Sequence, residues 1–229
     1  MTLAVGRISY VNAIPFFHHL PKTGFAGSVT DGVPSELNAK LASGLLDLSP
    51  SSSFEYACHW RDYLLLPEFS ISSLGPVRSV LLFSRRSLDA VAAETIVLTG
   101  ESATSVNLLK VLLYEFCGAA TVDCRVPDLP VEAAIAAGES ALLIGDRALR
   151  MARVVPQGMQ VYDLGELWWR FTGLPFVFAL WIVRKEACAT RGAEVDLFRR
   201  QLAEALRKAF ADLAGLAAAV APAAPLVAD

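Results

Sequence analysis

The side chains best suited to chemistry in this sequence are hydroxyls and one amide, and they fall in three groups. These are Ser9-Tyr10-Val11-Asn12, Ser51-Ser52-Ser53 and Thr104-Ser105. Each group follows an apolar run that reads as a strand, and the last two also precede helical spacing. At a strand-to-helix junction, backbone N–H groups and hydroxyls converge with the positive end of the helix dipole, which suits a small anion. The same serines would also serve as ordinary helix caps, and one residue can do both. Ser9, Tyr10 and Asn12 sit where the first strand stops, since Pro15 cannot continue a central strand and holds Ile14 extended. In open α/β sheets the carboxyl ends of strands are where ligands bind. Tyr10 is open to either cleft wall or core.

Acidic groups near strand ends are Asp47, Glu55, Glu101, Asp146 and Asp163. Asp163 reads as the cap of a helix carrying Trp168 and Trp169. Asp146, after Gly145, reads either as a cap or as a group that reaches the ligand. No activated base stands out among them.

Several function classes are excluded by pattern. There is no P-loop, no G-x-G-x-x-G and no nucleophile elbow. His18, His19 and His59 have no partner at metal-ligand spacing, so no metal site is expected. Cys58, Cys117, Cys124 and Cys188 are irregularly spaced and fit buried thiols in a reducing compartment. With 20 basic and 23 acidic residues dispersed along 229 positions, no run argues for nucleic acid and no basic amphipathic helix for a membrane surface. No apolar run is long enough for a transmembrane helix. The start, Met1-Thr2-Leu3-Ala4-Val5, lacks the basic and apolar regions of a leader, so a cytoplasmic protein is expected.

The elements that must position these groups alternate strand and helix. A strand is expected near Leu3–Ile8, another over Ser28–Val33, a helix from Pro34 with Leu37, Leu41 and Leu45 on one face, and a strand over Leu45–Ser49. Tyr63–Pro67 and Ser70–Ser73 read as two further strands. Two long apolar strands, Val77–Ser84 and Phe176–Val183, bracket a middle section with its own α/β repeats. They read as crossovers between two lobes: residues 1–84 with 180–229, and residues 85–179. A helix over Glu194–Leu216 is expected to bury Leu197, Leu202, Leu206, Phe210 and Leu213. Residues 217–229, rich in Ala and Pro, are expected to be poorly ordered. The fold class is therefore α/β, two-lobed, with an inter-lobe cleft that the hydroxyl groups would face. Such a cleft, lined by neutral donors, suits a small dianion. A solute-binding module and an enzyme on the same architecture both satisfy this, and the lack of a leader favours the enzyme.

The motif Ile8-Ser9-Tyr10-Val11-Asn12-Ala13-Ile14-Pro15 resembles the opening of the menaquinone-biosynthesis lyases of the futalosine pathway, in particular the chorismate dehydratases. Matches continue in order through Val33-Pro34-Ser35-Glu36-Leu37-Asn38, Ser51-Ser52-Ser53-Phe54-Glu55-Tyr56 and Gly75-Pro76-Val77-Arg78-Ser79-Val80. They go on with Thr104-Ser105, Ile144-Gly145-Asp146-Arg147-Ala148-Leu149, and Asp163-Leu164-Gly165-Glu166-Leu167-Trp168 into Thr172–Trp181. Any one motif is weak; the ordered set covers most of residues 5–185. The sibling lyase that makes 1,4-dihydroxy-6-naphthoate opens with a different Ser-Pro-Cys-Pro-Asn-Asp-like motif, absent here. The C-terminus departs from the family, which carries further helices. The resemblance implies a periplasmic-binding-protein-like (type II) fold, no cofactor, and dehydration of chorismate to 3-[(1-carboxyvinyl)oxy]benzoate. In that light Asn12 and Ser79 are the expected catalytic residues, with Ser79 opposite Asn12. Ser9, Tyr10, Ser51, Ser52, Thr104, Ser105 and Asp146 are expected to bind substrate or support those that do. The alternatives are the sibling lyase and a non-catalytic small-carboxylate binder.

Overall fold

In the computed structural model, which describes residues 2–221, the chain opens with strand β1 (Ala4–Ile8). Ser9 and Tyr10 then lead into a tight 3-10 turn at Val11–Ala13. Pro15 follows at the start of the short helix α1 (Ile14–Phe17), where a missing N–H costs no hydrogen bond. β2 (Ser28–Gly32) runs parallel to β1. Helix α2 (Pro34–Ala42) again starts on a proline with an extended residue before it, and sends Leu37 and Leu41 into the core. Strand β3 (Leu48–Ser52), helix α3 (Ser53–His59) and strand β4 (Tyr63–Ser73) follow.

Two expectations change here. β3 begins later than expected and runs through Pro50 to Ser52, so Ser51 and Ser52 belong to the strand itself. Proline is tolerated because β1 meets β3 only at Val5 and Leu48; farther along, β3 is faced by a single partner strand. β4 is one strand where two were expected, interrupted by a left-handed residue at Glu68 (φ 79°).

The next elements are β5 (Val80–Ser84), β6 (Ile96–Leu98), α4 (Ala103–Val111), β7 (Cys124–Arg125), α5 (Val131–Ala137), β8 (Ala141–Ile144), α6 (Gly145–Ala152), β9 (Gln160–Asp163) and α7 (Leu164–Thr172). β10 (Phe176–Arg184), the helical stretch α8 (Lys185–Ala211), which kinks at Arg191 where the backbone is not helical (φ −138°, ψ 33°), and α9 (Leu213–Val220) close the described chain. Residues 217–220, expected to be poorly ordered, are the last turns of α9; the expectation for 222–229 lies outside the described residues. No helix of the described residues is long and apolar enough to cross a membrane.

The strands form two mixed sheets, ordered β2-β1-β3-β10-β4 and β7-β6-β8-β5-β9. The chain divides into two compact units accordingly. One holds residues up to Ser70 and from Ala179 onward; the other is Ile71–Phe178. The chain thus passes between units inside β4 and inside β10. Val77–Ser84 is not a crossover: β5 lies wholly in the second unit, between β8 and β9. Its residues are buried without exception, as a strand covered on both faces must be, and that is why its apolar run is continuous.

In the first unit Phe16, Phe17 and Phe198 surround Trp181 with ring centroids 5.6–5.7 Å apart. Trp181 is fully buried. The face of α8 that packs is Val195, Phe198, Leu202, Ala205 and Ala209. Of the expected stripe only Leu202 is fully buried; Leu197, Phe210 and Leu213 are exposed. The observed stripe keeps the 3–4 spacing of a helix face, but uses alanines, whose small size admits close approach. In the second unit Leu81, Phe83, Val97, Ile135, Leu143 and Ala148 share one core. The four cysteines are unpaired; Cys58 is exposed and the others half-buried, so none is the fully buried thiol expected.

Candidate functional site

In the first unit β1 and β3 are parallel neighbours, so their carboxyl ends emerge at one edge of the sheet. Ser9, Tyr10 and Asn12 follow β1 there, and Ser51 and Ser52 end β3. The Ser9 amide donates to the Gly32 carbonyl at 3.1 Å and its hydroxyl reaches the same oxygen at 3.4 Å. Tyr10 is half-buried, and its carbonyl closes the 3-10 turn by accepting from Ala13 N–H at 3.0 Å. Asn12 is exposed at the centre of that turn. Ser52 caps α3, its Oγ accepting from Glu55 N–H at 3.0 Å. Ser51 is fully buried, and its Oγ has no partner among the described residues. A buried hydroxyl left unpaired costs about 1–3 kcal/mol, so a group that pairs with it is favoured there.

The second unit gathers its own set. β6 and β8 are parallel neighbours, and β5 runs antiparallel to β8 with Val80 opposite Ile144. The entry to β5 therefore lies beside the exits of β6 and β8. This places Ser79, the Ser102–Ser105 turn and Asp146 at one edge of that sheet. Ser102, not Thr104 or Ser105, caps α4: its Oγ accepts from Ser105 N–H at 3.2 Å and donates to Ser105 Oγ at 3.0 Å. Ser105 thereby keeps its own hydroxyl hydrogen for donation. Thr104 and Ser105 lie buried in the first turn of the helix. The Ser79 carbonyl accepts from Gly145 N–H at 2.7 Å, while its hydroxyl makes only a long, 3.4 Å bond to the Val77 carbonyl. Asp146 is half-buried in the first turn of α6.

The acids near strand ends mostly have structural partners. Asp47 is buried, accepts from Ala4 N–H at 2.7 Å and pairs with Arg191. It ties the start of β1 to α8. Glu55 pairs with His59 at 3.0 Å and accepts from the Tyr63 hydroxyl at 3.4 Å. Burial, then the charge of Glu55, pushes the Tyr63 phenol up to about 12, so it stays protonated.

Two arrangements were not foreseen from the sequence. Arg147 holds Glu132 with both arms of its guanidinium, at 2.8 and 2.5 Å, and Glu101 at 2.8 Å. The hydrogen bonds to Glu132 and Glu101 raise the Arg147 pKa, and the Arg147 bond lowers that of Glu132. The clamp joins the loop that carries Ser102 to the start of α5. Secondly, Asp163 does cap α7, but it also accepts from Val77 and Arg78 far back in the chain. Neither arrangement has a local signature; the position of Glu101 and of Asp163 near strand ends was the hint the sequence held.

Two grooves lie outside these sets. One of about 560 Å³ is lined by Thr99, Glu101, Leu129, Glu132 and Arg147 among others, and by none of Ser79, Thr104, Ser105 or Asp146. In the first unit a groove of about 480 Å³ is lined by Tyr63, Arg184 and Lys185 among others. Because Val183 pairs with Leu48 and Ala179 with Ser52, that groove lies at the sheet edge opposite Ser51 and Ser52. Among the described residues no three His, Cys, Asp or Glu side chains form a group that could hold a metal ion.

Two five-stranded α/β units joined by paired crossings define the class of periplasmic-binding-protein folds, and solved structures agree. Protein AF1704 from Archaeoglobus fulgidus superposes with a TM-score of 0.72 at 17% identity, over 99% of this chain and 81% of the other. The alkanesulfonate-binding protein SsuA from Xanthomonas axonopodis pv. citri, bound to MOPS, gives 0.71 at 17% identity, over 98% and 81%. Within that class the chain belongs to the menaquinone biosynthesis family, whose model matches residues 3–227. Chorismate dehydratase of Thermus thermophilus is 40% identical over 196 residues, 80% of this chain and 70% of that relative.

Proposed function

We propose that this protein is a lyase that removes water from chorismate to give 3-[(1-carboxyvinyl)oxy]benzoate, a step of menaquinone biosynthesis by way of futalosine. The observation that carries this is the 40% identity to a chorismate dehydratase over four-fifths of the chain. The donor sets support it. Chorismate is a small dicarboxylate, and the two sheet edges offer neutral N–H and O–H donors.

The chemistry asks little of a base. Breaking the ring C–H beside the enolpyruvyl ether and the neighbouring C–OH bond expels water and leaves an aromatic ring. Aromatisation supplies the driving force, so a substrate carboxylate suffices to take the proton. The protein then acts by positioning and by hydrogen bonding to the departing hydroxyl. We assign Asn12 to the leaving hydroxyl or to the enolpyruvyl group, and Ser79 to hydrogen bonding at the reacting centre. Ser51, Ser52, Thr104 and Ser105 are assigned to the two carboxylates, with Ser9 and Tyr10 shaping the turn that carries Asn12. Asp146 is assigned to support them from the start of α6. The same reading places the step in the cytoplasm, requires no cofactor, and involves neither nucleic acid nor membrane.

Incubation with chorismate, followed by chromatography and mass spectrometry, tests the reading. Turnover to the benzoate ether is expected. Binding without turnover would instead make the protein a carboxylate-binding module, and absence of both would overturn the assignment.

A further inference from the structure

The turn Gly75-Pro76-Val77-Arg78, which enters β5 just ahead of Ser79, holds its last residue in a conformation that residue would not choose. Arg78 has φ of 65°, in the left-handed region that residues with a Cβ avoid. What holds it is Asp163. Its Oδ1 accepts from the N–H groups of Gly165 at 2.9 Å and Glu166 at 3.1 Å, which is ordinary helix capping. The same Oδ1 accepts from Val77 N–H at 3.0 Å, and Oδ2 from Arg78 N–H at 2.6 Å, residues 86 and 85 positions earlier. A cap alone would be served by Ser, Thr or Asn. Four backbone donors converging from two directions need both oxygens of a carboxylate.

Packing agrees. A Cβ on Gly165 would stand 2.7 Å from Ser73 Oγ and 2.8 Å from the Gly75 carbonyl oxygen, so only glycine lets the start of α7 press on this turn. On the other side Gly145 N–H holds the Ser79 carbonyl at 2.7 Å. The backbone of Ser79 is thus fixed before and after, while its hydroxyl is only loosely engaged at 3.4 Å.

We propose that Asp163 is a positioning residue for Ser79, acting through the left-handed turn at Arg78; this rests on the assignment of Ser79 given above. The test is the steady-state dehydration of chorismate by the full chain carrying Ser79→Ala, Asp163→Ser, Arg78→Gly or Asp163→Ser with Arg78→Gly. Serine keeps one acceptor for capping α7 but is too short to reach Val77 and Arg78. Asp163→Ser is expected to lower kcat about tenfold or more while KM changes less than about threefold. Glycine enters the left-handed conformation without the Cβ penalty that Arg78 bears, so in the Arg78→Gly background the same change is expected to cost less than about twofold. A purely structural cap would give equal losses in both backgrounds, and that result overturns the proposal. So does an Asp163→Ser enzyme with full kcat beside a Ser79→Ala enzyme that has lost it. If Ser79→Ala keeps full kcat, the assignment of Ser79 itself fails and the proposal falls with it. Should Asp163→Ser not fold, Asp163→Asn, which retains one acceptor oxygen, makes the same comparison in the two backgrounds.

Discussion

Ser51 carries a hydroxyl into a fully buried position and gives it no partner among the described residues. That is a cost in the free protein, and a substrate oxygen would remove it. Ser51→Ala is therefore expected to make the unliganded protein more stable, by about 1 kcal/mol in denaturant titration, and to weaken chorismate binding by about as much. A variant destabilised without ligand would contradict this. Asn12 is the opposite case, an exposed amide on a tight turn. Asn12→Ala should leave the unfolding midpoint nearly unchanged. If the amide acts mainly in the transition state, kcat should fall about tenfold or more with little change in KM. Equal effects on binding and turnover would make Asn12 a binding residue only.

Among elements, the loop that follows β6 and the start of α5 depend on a side chain from α6. Arg147 bonds Glu132 twice and Glu101 once, and all three are about one-quarter to one-third exposed. Solvent screens the charges in part, so Arg147→Met is expected to cost about 1–2 kcal/mol rather than the full value of a buried pair. Glu132 also makes the clamp sensitive to acid. Its folded pKa lies below the ordinary 4.5 because Arg147 bonds the ionised form. Its contribution is thus fully present above 4.5 and is lost as pH falls through the lowered folded value. Thermal melts between pH 7 and pH 3 should show the wild type losing stability below about 4.5, and Arg147→Met losing less over the same range. An identical acid slope in the two proteins would show that the clamp does not contribute.

At the scale of the molecule, each unit stands on its own sheet and its own core. In the first, Trp181 is the largest fully buried side chain and touches Phe16, Phe17 and Phe198. Trp181→Ala is expected to cost about 3–5 kcal/mol, a large share of the about 5–15 kcal/mol typical of a domain. Calorimetry would read this as a lowered first transition or as loss of folded protein at growth temperature. Chorismate, if it binds only the folded chain, should raise the melting temperature of the wild type in proportion to the logarithm of its concentration.

Much of this was legible in the chain because it is local. The apolar runs of β6, β8 and β10, the prolines at the starts of α1 and α2, the cap at Asp163 and the hydroxyls at strand ends follow from neighbouring residues alone. The order of motifs from Ser9 to Trp181 likewise carried the family resemblance. What only the tertiary structure decided were relations between distant residues. Periodicity could not tell a central strand such as β5 from a crossover, because both read as continuous apolar runs. Nor could it choose the packed face of α8, where alanines replace the larger residues on the other stripe. The second pair of donors on Asp163 comes from 85 and 86 residues away, and a left-handed arginine at position 78 has no glycine to announce it. Such contacts are set by which strands are paired within each sheet, as β5 is with β9, and no spacing rule along the sequence encodes them.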